Sequence, residues 1–328
     1  MSYAEKALAL DETLVRVAEA LEGGSTPIQT RLTNLGASIA PQFDATETYA
    51  VGAYVMYEDK MYKCTTTHTG AWDASDFDDT DVVSEMGSGG GLNVAPGAGP
   101  HNAIYRGQSL GTSVSADQYA EIQAGTFNDM FIGDYWTIGG IVYRIAAFDY
   151  WYNCGDTACT THHVVLVPDT CIGENQKMND SHTTEGGYVG SKMYTTYLDS
   201  AKGTITTAFG SAHILNHREL LVNAVSNGKP SSGSWYDSTI ELMNEEMVYG
   251  SAIFEGANDG TTIPYKYTID KSQLPLFVYR HDLIGNRAYW WLRSVVSATN
   301  FADVGDTGYA RYNGAGDALG VRPAFAIC

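Results

Sequence analysis

Leu10, Leu14, Val17 and Leu21 recur at i, i+4, i+7 and i+11 within residues 3–22. That spacing predicts a helix whose apolar seam faces a partner. Gly23 and Gly24 end it, and after Pro27 the apolar positions Ile28, Leu32, Leu35 and Ile39 resume near-heptad spacing. Helices this short are marginal alone in water. Residues 1–40 are therefore expected to be a helical, coiled-coil-like segment for attachment and oligomerisation, the alternative being a helical hairpin packed on its own chain; the expected partner is a second copy, in a homo-oligomer with a trimer favoured.

The pattern then shifts toward period two. Tyr49, Val51, Tyr54, Val55 and Tyr57 precede Glu58-Asp59-Lys60, and Met61, Tyr62 and Cys64 follow it. This predicts a hairpin within a small all-β module at residues 41–86. Residues 87–102, GSGGGLNVAPGAGPHN, read as a Gly/Pro linker. The GSGGG run lacks the Lys-Ser/Thr of a phosphate-binding loop. Residues 103–328 show no second break and are expected to form one α+β domain. Its predicted elements are a helix at 115–124, a strand pair at 135–151 around Gly139-Gly140, and a buried strand in HHVVLVPD. Helices are expected at 191–198 and at 212–227, the latter stopped by Gly228 and Pro230, with strand and loop from Leu283 onward.

Charge narrows the partners. The chain has 38 acids against 19 bases, a formal charge of −19. Nucleic acid and anionic membranes recruit Lys and Arg, so neither is expected as a partner. No run of 18 apolar residues predicts membrane insertion. The N-terminus carries Glu5, Asp11 and Glu12 with no apolar core, so it does not read as a secretory signal. The cysteines are Cys64, Cys154, Cys159, Cys171 and Cys328, an odd total that suits free thiols in a reducing compartment. The Cys154–Cys159 spacing could instead close a small loop or hold half a metal site.

Reaction chemistry finds little support. His213 and His217 would lie four apart on the predicted helix, but HILNHRE is not the zinc-protease motif, and both flank apolar Ile214, Leu221 and Val225. His162 and His163 begin a strand, where adjacent side chains face opposite sides and cannot share one ion. No GxSxG elbow and no dinucleotide GxGxxG after a strand occurs. The expectation is no enzyme, no metal and no cofactor.

The C-terminal tract is the most informative. Its ends, Tyr289-Trp290-Trp291-Leu292-Arg293-Ser294 and Gly320-Val321-Arg322-Pro323-Ala324-Phe325, are apolar and β-prone. The middle, about residues 295–319, is small, polar and Gly-rich. It is expected to be a long irregular surface loop held between two strands. Trp290, Trp291 and Phe325 are the expected clamps, with Arg293 and Arg322 hydrogen-bonding carbonyls or a buried acid.

WWLRS followed by such a stretch and closed by GVRPAF resembles the C-terminal end of phage and bacterial variable proteins diversified by retroelements. NAIYRGQSLG, FIGDYWTIGG and DKSQLPLF upstream match the same kind of protein, so the likeness spans most of residues 102–328. The resemblance implies a C-type-lectin-like fold for residues 103–328. It also implies template adenines whose substitution never yields Trp, Lys, Glu, Gln or Met, and residues 292–328 contain none of these five. The stretch Phe43–Phe77 resembles the small carbohydrate-binding modules of chitinases through Tyr49, Gly52, Val55, Tyr62, Cys64 and Trp72, with Tyr62 and Trp72 read as core.

What these likenesses imply is a virion protein of a phage tail that binds a host cell-surface protein or glycan. Tyr309, Arg311 and Tyr312 would be the anchors, since aromatic and Arg side chains carry most interface energy. Asn300, Asp303, Asp306, Asn313 and Asp317 would be polar contacts or loop-shaping residues. The alternatives are a structural tail or cell-wall sugar-binding protein, and a formylglycine-generating-like enzyme. The enzyme needs paired cysteines near its C-terminal end, whereas Cys328 is the only one after Cys171.

Overall fold

A computed structural model describes residues 40–58, 60–80, 95–255 and 272–328. The expected helical segment and residues 87–94 of the expected linker fall outside the described residues, apart from Ala40. The chain divides into two compact units, residues 1–93 and 94–328.

The first unit is built of strands in its described part, with one short helical turn at Ala74–Asp76. β2 (Tyr54–Tyr57) and β3 (Lys60–Cys64) form the hairpin, and β5 (Phe77–Thr80) pairs with the far side of β3. The short β1 (Thr48–Tyr49) pairs with β4 (His68–Thr69). Among the described residues its core cluster is Tyr49, Val55, Cys64 and Phe77, so aromatic packing around it matters. Trp72 stacks on Tyr57 at 4.1 Å and on Phe77 at 4.4 Å, with Tyr62 and Phe43 against its edges.

The second unit is a mixed α+β fold, rich in sheet. It begins earlier than the linker reading allows, with α1 (Ala98–Asn102). His101 is buried there, and the Asn102 amide spans the backbone of Phe148. These side chains convert the end of a Gly/Pro run into part of the core. β6 (Ser109–Gly111) leads to α2 (Ala116–Ala124), which starts where a capping box predicts. Ser115 Oγ accepts from Gln118 N at 3.1 Å, and Gln118 Oε1 accepts from Ser115 N at 2.9 Å.

β7 (Tyr135–Ile138) and β8 (Ile141–Phe148) flank Gly139-Gly140, and β9 (Val164–Pro168) is buried at every position. A short strand, β10 (Gln176–Lys177), precedes a wide helical turn at Met193–Tyr197. That turn runs directly into α3 (Asp199–Phe209), so the helix expected at 191–198 extends a further eleven residues.

The helix expected at 212–227 is not one. Residues 217–226 are β11 (His217–Ser226), paired along its length with β12 (Lys229–Ser238). Asn227 (φ 50°) and Gly228 (φ 74°) both adopt positive φ and form a two-residue hairpin turn. Asn-Gly favours that turn, so Gly228 marks a hairpin and not the helix stop expected with Pro230. His213 sits instead in a short helical turn and His217 starts a strand, so their spacing is no longer one helix face.

β13 (Ile240–Leu242) is followed by α4 (Glu245–Tyr249) and α5 (Pro275–Tyr279). The C-terminal tract supplies β14 (Trp290–Val295), β15 (Asn300–Val304), β16 (Ala310–Gly314), β17 (Ala318–Leu319) and β18 (Pro323–Ile327). The main sheet runs β13-β18-β9-β8-β7-β6. The chain's last strand thus lies inside the sheet, between β13 and β9, with every residue buried. Pro323 is tolerated there because it is the strand's first residue. β14-β15-β16 form a separate three-stranded sheet, and β17 pairs with β10. Among the described residues no helix is long and apolar enough to cross a membrane.

Candidate functional site

The tract expected as an irregular loop is mostly strand. β15 pairs with β16 in unbroken antiparallel register, Asn300 opposite Gly314 and Val304 opposite Ala310. Phe301, Ala302, Asp303 and Val304 are buried, so β15 is covered on both faces. The loop reading failed because Ala302 and Asp303 carry no hydrophobic signature, yet Trp291 and Arg311 stand opposite Asp303. The strands turn at 296–299, 305–309 and 315–317.

β16 is the exposed member of this sheet. Alternation sends Arg311 and Asn313 to one face and Tyr312 to the other. Tyr309 is 49% exposed and Tyr312 48% exposed, both far above the residues behind them. On the first face the Arg311 guanidinium lies 4.5 Å over the Tyr289 ring. Its Nη2 donates to Asn313 Oδ1 at 3.1 Å. A side-chain hydrogen bond to Tyr309, with Asp306 nearby, raises the Tyr289 phenol above its ordinary value. Tyr309 lies on Gly305, where any Cβ would strike its ring, so the glycine makes room for the tyrosine. On the other face Tyr312 meets Phe254 edge to face at 5.1 Å. Phe254 is held in turn because the buried Glu245 carboxylate accepts the backbone N–H groups of Ile253, Phe254 and Glu255.

The turns that carry these side chains are tied to the body. Tyr249 donates its hydroxyl to Gly308 O at 3.1 Å, and Arg287 N donates to Asp306 O at 2.9 Å. Gly316 N donates to His182 Nδ1 at 3.3 Å, and the His182 ring occupies the space a Cβ at Gly314 would need. Thr299 donates its hydroxyl to Asn300 Oδ1, which makes Asn300 a turn-shaping residue at the start of β15. Asp317 is exposed and Asp306 half-buried.

Asp303, expected among the surface contacts, lies under Arg311 with 0% exposure. Arg311 Nε is 3.2 Å from its Oδ2, yet neither carboxylate oxygen has an aligned hydrogen bond. Burial pushes this carboxyl up to about 7 against the pull of Arg311, with Asp317 adding to the rise. The folded value lies above the ordinary 3.8. The protonated form is therefore favoured by folding, and its contribution is complete below about pH 4 and lost as pH rises through about 7. We expect Asp303→Asn to remove this dependence. Thermal melts of both proteins at pH 4 and pH 8 should show the parent losing ground to the variant at the higher pH. A difference between them that does not change with pH would contradict the assignment.

Beneath the site the five expected clamp residues are all buried. Trp290 Nε1 donates to Ile284 O at 3.3 Å and Trp291 Nε1 to Gln176 O at 2.7 Å. Arg293 meets a buried acid, Glu219, at 2.9 Å, and Arg322 meets the carbonyls of Pro168, Leu283 and Ile284. Phe325 packs edge-on to Tyr143 and Phe209. The sequence reading missed Tyr289 and Phe254. Tyr289 adjoins WWLRS and could have been found from the alternation, but Phe254 is brought in only by the tertiary fold.

Among the described residues no three His, Cys, Asp or Glu side chains are grouped to hold a metal. In the small module, Trp72 spends its rings on Tyr57 and Phe77 and is no open sugar platform. No protein-family model, curated protein or solved structure matches the chain.

Proposed function

We propose that this chain is a receptor-binding protein of the phage tail, of the variable kind, in which a C-type-lectin-like domain presents an exchangeable surface. Its target is a host cell-surface protein or glycan, and it acts as a binder rather than an enzyme. The observation that carries this reading is the contrast across two adjacent strands. β15 is buried from Phe301 on, while the turn before β16 holds out Tyr309 and β16 itself presents Tyr312 and the half-buried Arg311. Such side chains give large contact area at low entropic cost, and backing them with a packed sheet preorganises them. Because Tyr312 projects from the face opposite Arg311, a target touching both wraps the outer edge of β16. Several copies on one particle would raise weak single contacts by about 10²–10⁴ through avidity.

Attachment to host cells tests the proposal. Tyr309→Ala combined with Tyr312→Ala is expected to abolish adsorption, since hot-spot aromatics each cost about 2 kcal/mol or more when truncated. Adsorption lost only on deleting residues 43–77 would assign attachment to the small module instead. The diversification part has its own test. The flanking genome should hold a reverse transcriptase and a near-copy of the DNA for residues 290–328 that differs at adenines; a locus without them would overturn that part.

A further inference from the structure

We infer that Cys154 and Cys159 are a redox pair that closes the 154–159 loop as a disulfide when the protein meets an oxidising medium. The loop is built so that the two residues stay together. Cys159 N donates to Cys154 O at 3.0 Å, and Asn153 N donates to Cys159 O at 2.7 Å. A chain of atoms from one Cα through that hydrogen bond to the other spans at most about 7 Å, and its natural bend brings the pair into the disulfide range.

Three further contacts hold the loop in this shape. Tyr152 bridges to Cys159 as a neighbouring extended segment. Gly155 takes φ 102°, and a Cβ there would meet Arg218 and the Thr157 carbonyl at 2.8 Å. Arg218 grips Asp156 with two bonds, of 2.8 and 3.0 Å. Both thiols are half-buried rather than sealed, so a small reagent can reach them. They donate to Tyr152 O and Thr161 O, contacts that a change of side-chain rotamer gives up at small cost.

The other three cysteines differ. Cys64 is buried in the first unit, Cys171 accepts from the Asn286 amide beside Gly320, and Cys328 ends the chain behind the His213 turn. The reaction needs a small-molecule disulfide as oxidant. One cysteine thiolate attacks it and releases one small thiol, leaving a mixed disulfide on the protein. The second cysteine thiolate then displaces the other small thiol, so the cysteines lose two protons and two electrons and the reagent gains them as two thiols. Burial raises both thiol pKa values, so oxidation should quicken as pH rises. The consequence is local. Thr157, Ala158, Cys159, Thr160 and Thr161 form one wall of a cavity of about 260 Å³ opposite His217, and the disulfide would fix that wall.

The experiment treats the full-length protein, prepared reduced, with oxidised glutathione, followed by mass spectrometry and peptide mapping without reduction. The expected product is lighter by two hydrogens, with a Cys154–Cys159 linked peptide, and reverts with dithiothreitol. Cys154→Ser and Cys159→Ser should each stop at a stable mixed disulfide, while Cys328→Ser should behave as the parent. A linkage of Cys159 to Cys328, or persistent mixed disulfides on the parent chain, would overturn the proposal. The mapping on the parent decides the matter even if a serine variant fails to fold.

Discussion

Arg293→Met is expected to destabilise the second unit by about 3–5 kcal/mol, the usual cost of removing one partner from a buried ion pair. Arg293 Nη1 donates to Glu219 Oε2 at 2.9 Å and to Leu242 O at 3.1 Å, and both charged side chains are almost fully buried. Burial alone would raise the Glu219 carboxyl, but Arg293, with His217, outweighs it and holds it at about 2. A carboxyl held below its ordinary value stabilises the fold above about pH 4.5 and loses that contribution as pH falls through about 2. Without Arg293 the buried carboxylate keeps His217 beside it but also faces the buried Glu241 carboxyl, and it must either stay charged at high cost or take up a proton. Urea unfolding at pH 7 measures the loss. The double variant Arg293→Met with Glu219→Gln should recover much of it, because no buried charge is then left unpaired. Loss in the double variant equal to the sum of the two singles would show that the residues do not act as a pair.

Arg322→Met should cost about 3 kcal/mol or more, for a different reason. This guanidinium is buried, and among the described residues no carboxylate contacts it. Its Nε donates to Pro168 O at 2.7 Å, and Nη1 donates to Leu283 O and Ile284 O at 3.0 and 3.1 Å. It also lies 5.1 Å over the Trp290 ring and 5.7 Å over Phe277. Burial pushes it down to about 10, so it still carries its charge at neutral pH. One side chain thus joins the end of β9, the turn before β14 and the entry to β18. Methionine fills the volume but strips donors from buried carbonyls, each worth about 1–3 kcal/mol when left unmet. Lysine should rescue only in part, since a single ammonium cannot reproduce the planar fork. Full recovery by lysine in thermal or urea unfolding would show that charge alone was needed.

Parts of this architecture were legible because local and tertiary demands agree. The unbroken apolar run of β9 reads as a strand buried on both faces, and Gly139-Gly140 between apolar runs reads as a hairpin. Ser115 and Gln118 mark the start of α2, and the aromatic ends of the C-terminal tract read as core. β11 was lost because Leu220, Leu221 and Val225 fit helical spacing as well as strand alternation, and only the Asn227-Gly228 turn separates the two. β15 and β16 were hidden because small and polar residues occupy buried positions. Asp303 is buried there facing Arg311 on the next strand, a pairing no local pattern can announce. The candidate site was therefore legible as residue types, while its division between two faces of β16, and the role of Phe254, came only with the fold.

The central claim is that a fixed scaffold carries a surface whose identity folding does not require. Randomising residues 306, 309, 312 and 317 in one library, and 290, 291, 293 and 322 in another, tests it directly, with the soluble, protease-resistant fraction of each library as the readout. Most members of the first library should fold and melt within a few degrees of the parent, because isolated surface changes rarely exceed about 0.5 kcal/mol. Few members of the second should. Equal losses in the two libraries would mean that Tyr309 and Tyr312 serve the fold rather than a partner, and the account would fail.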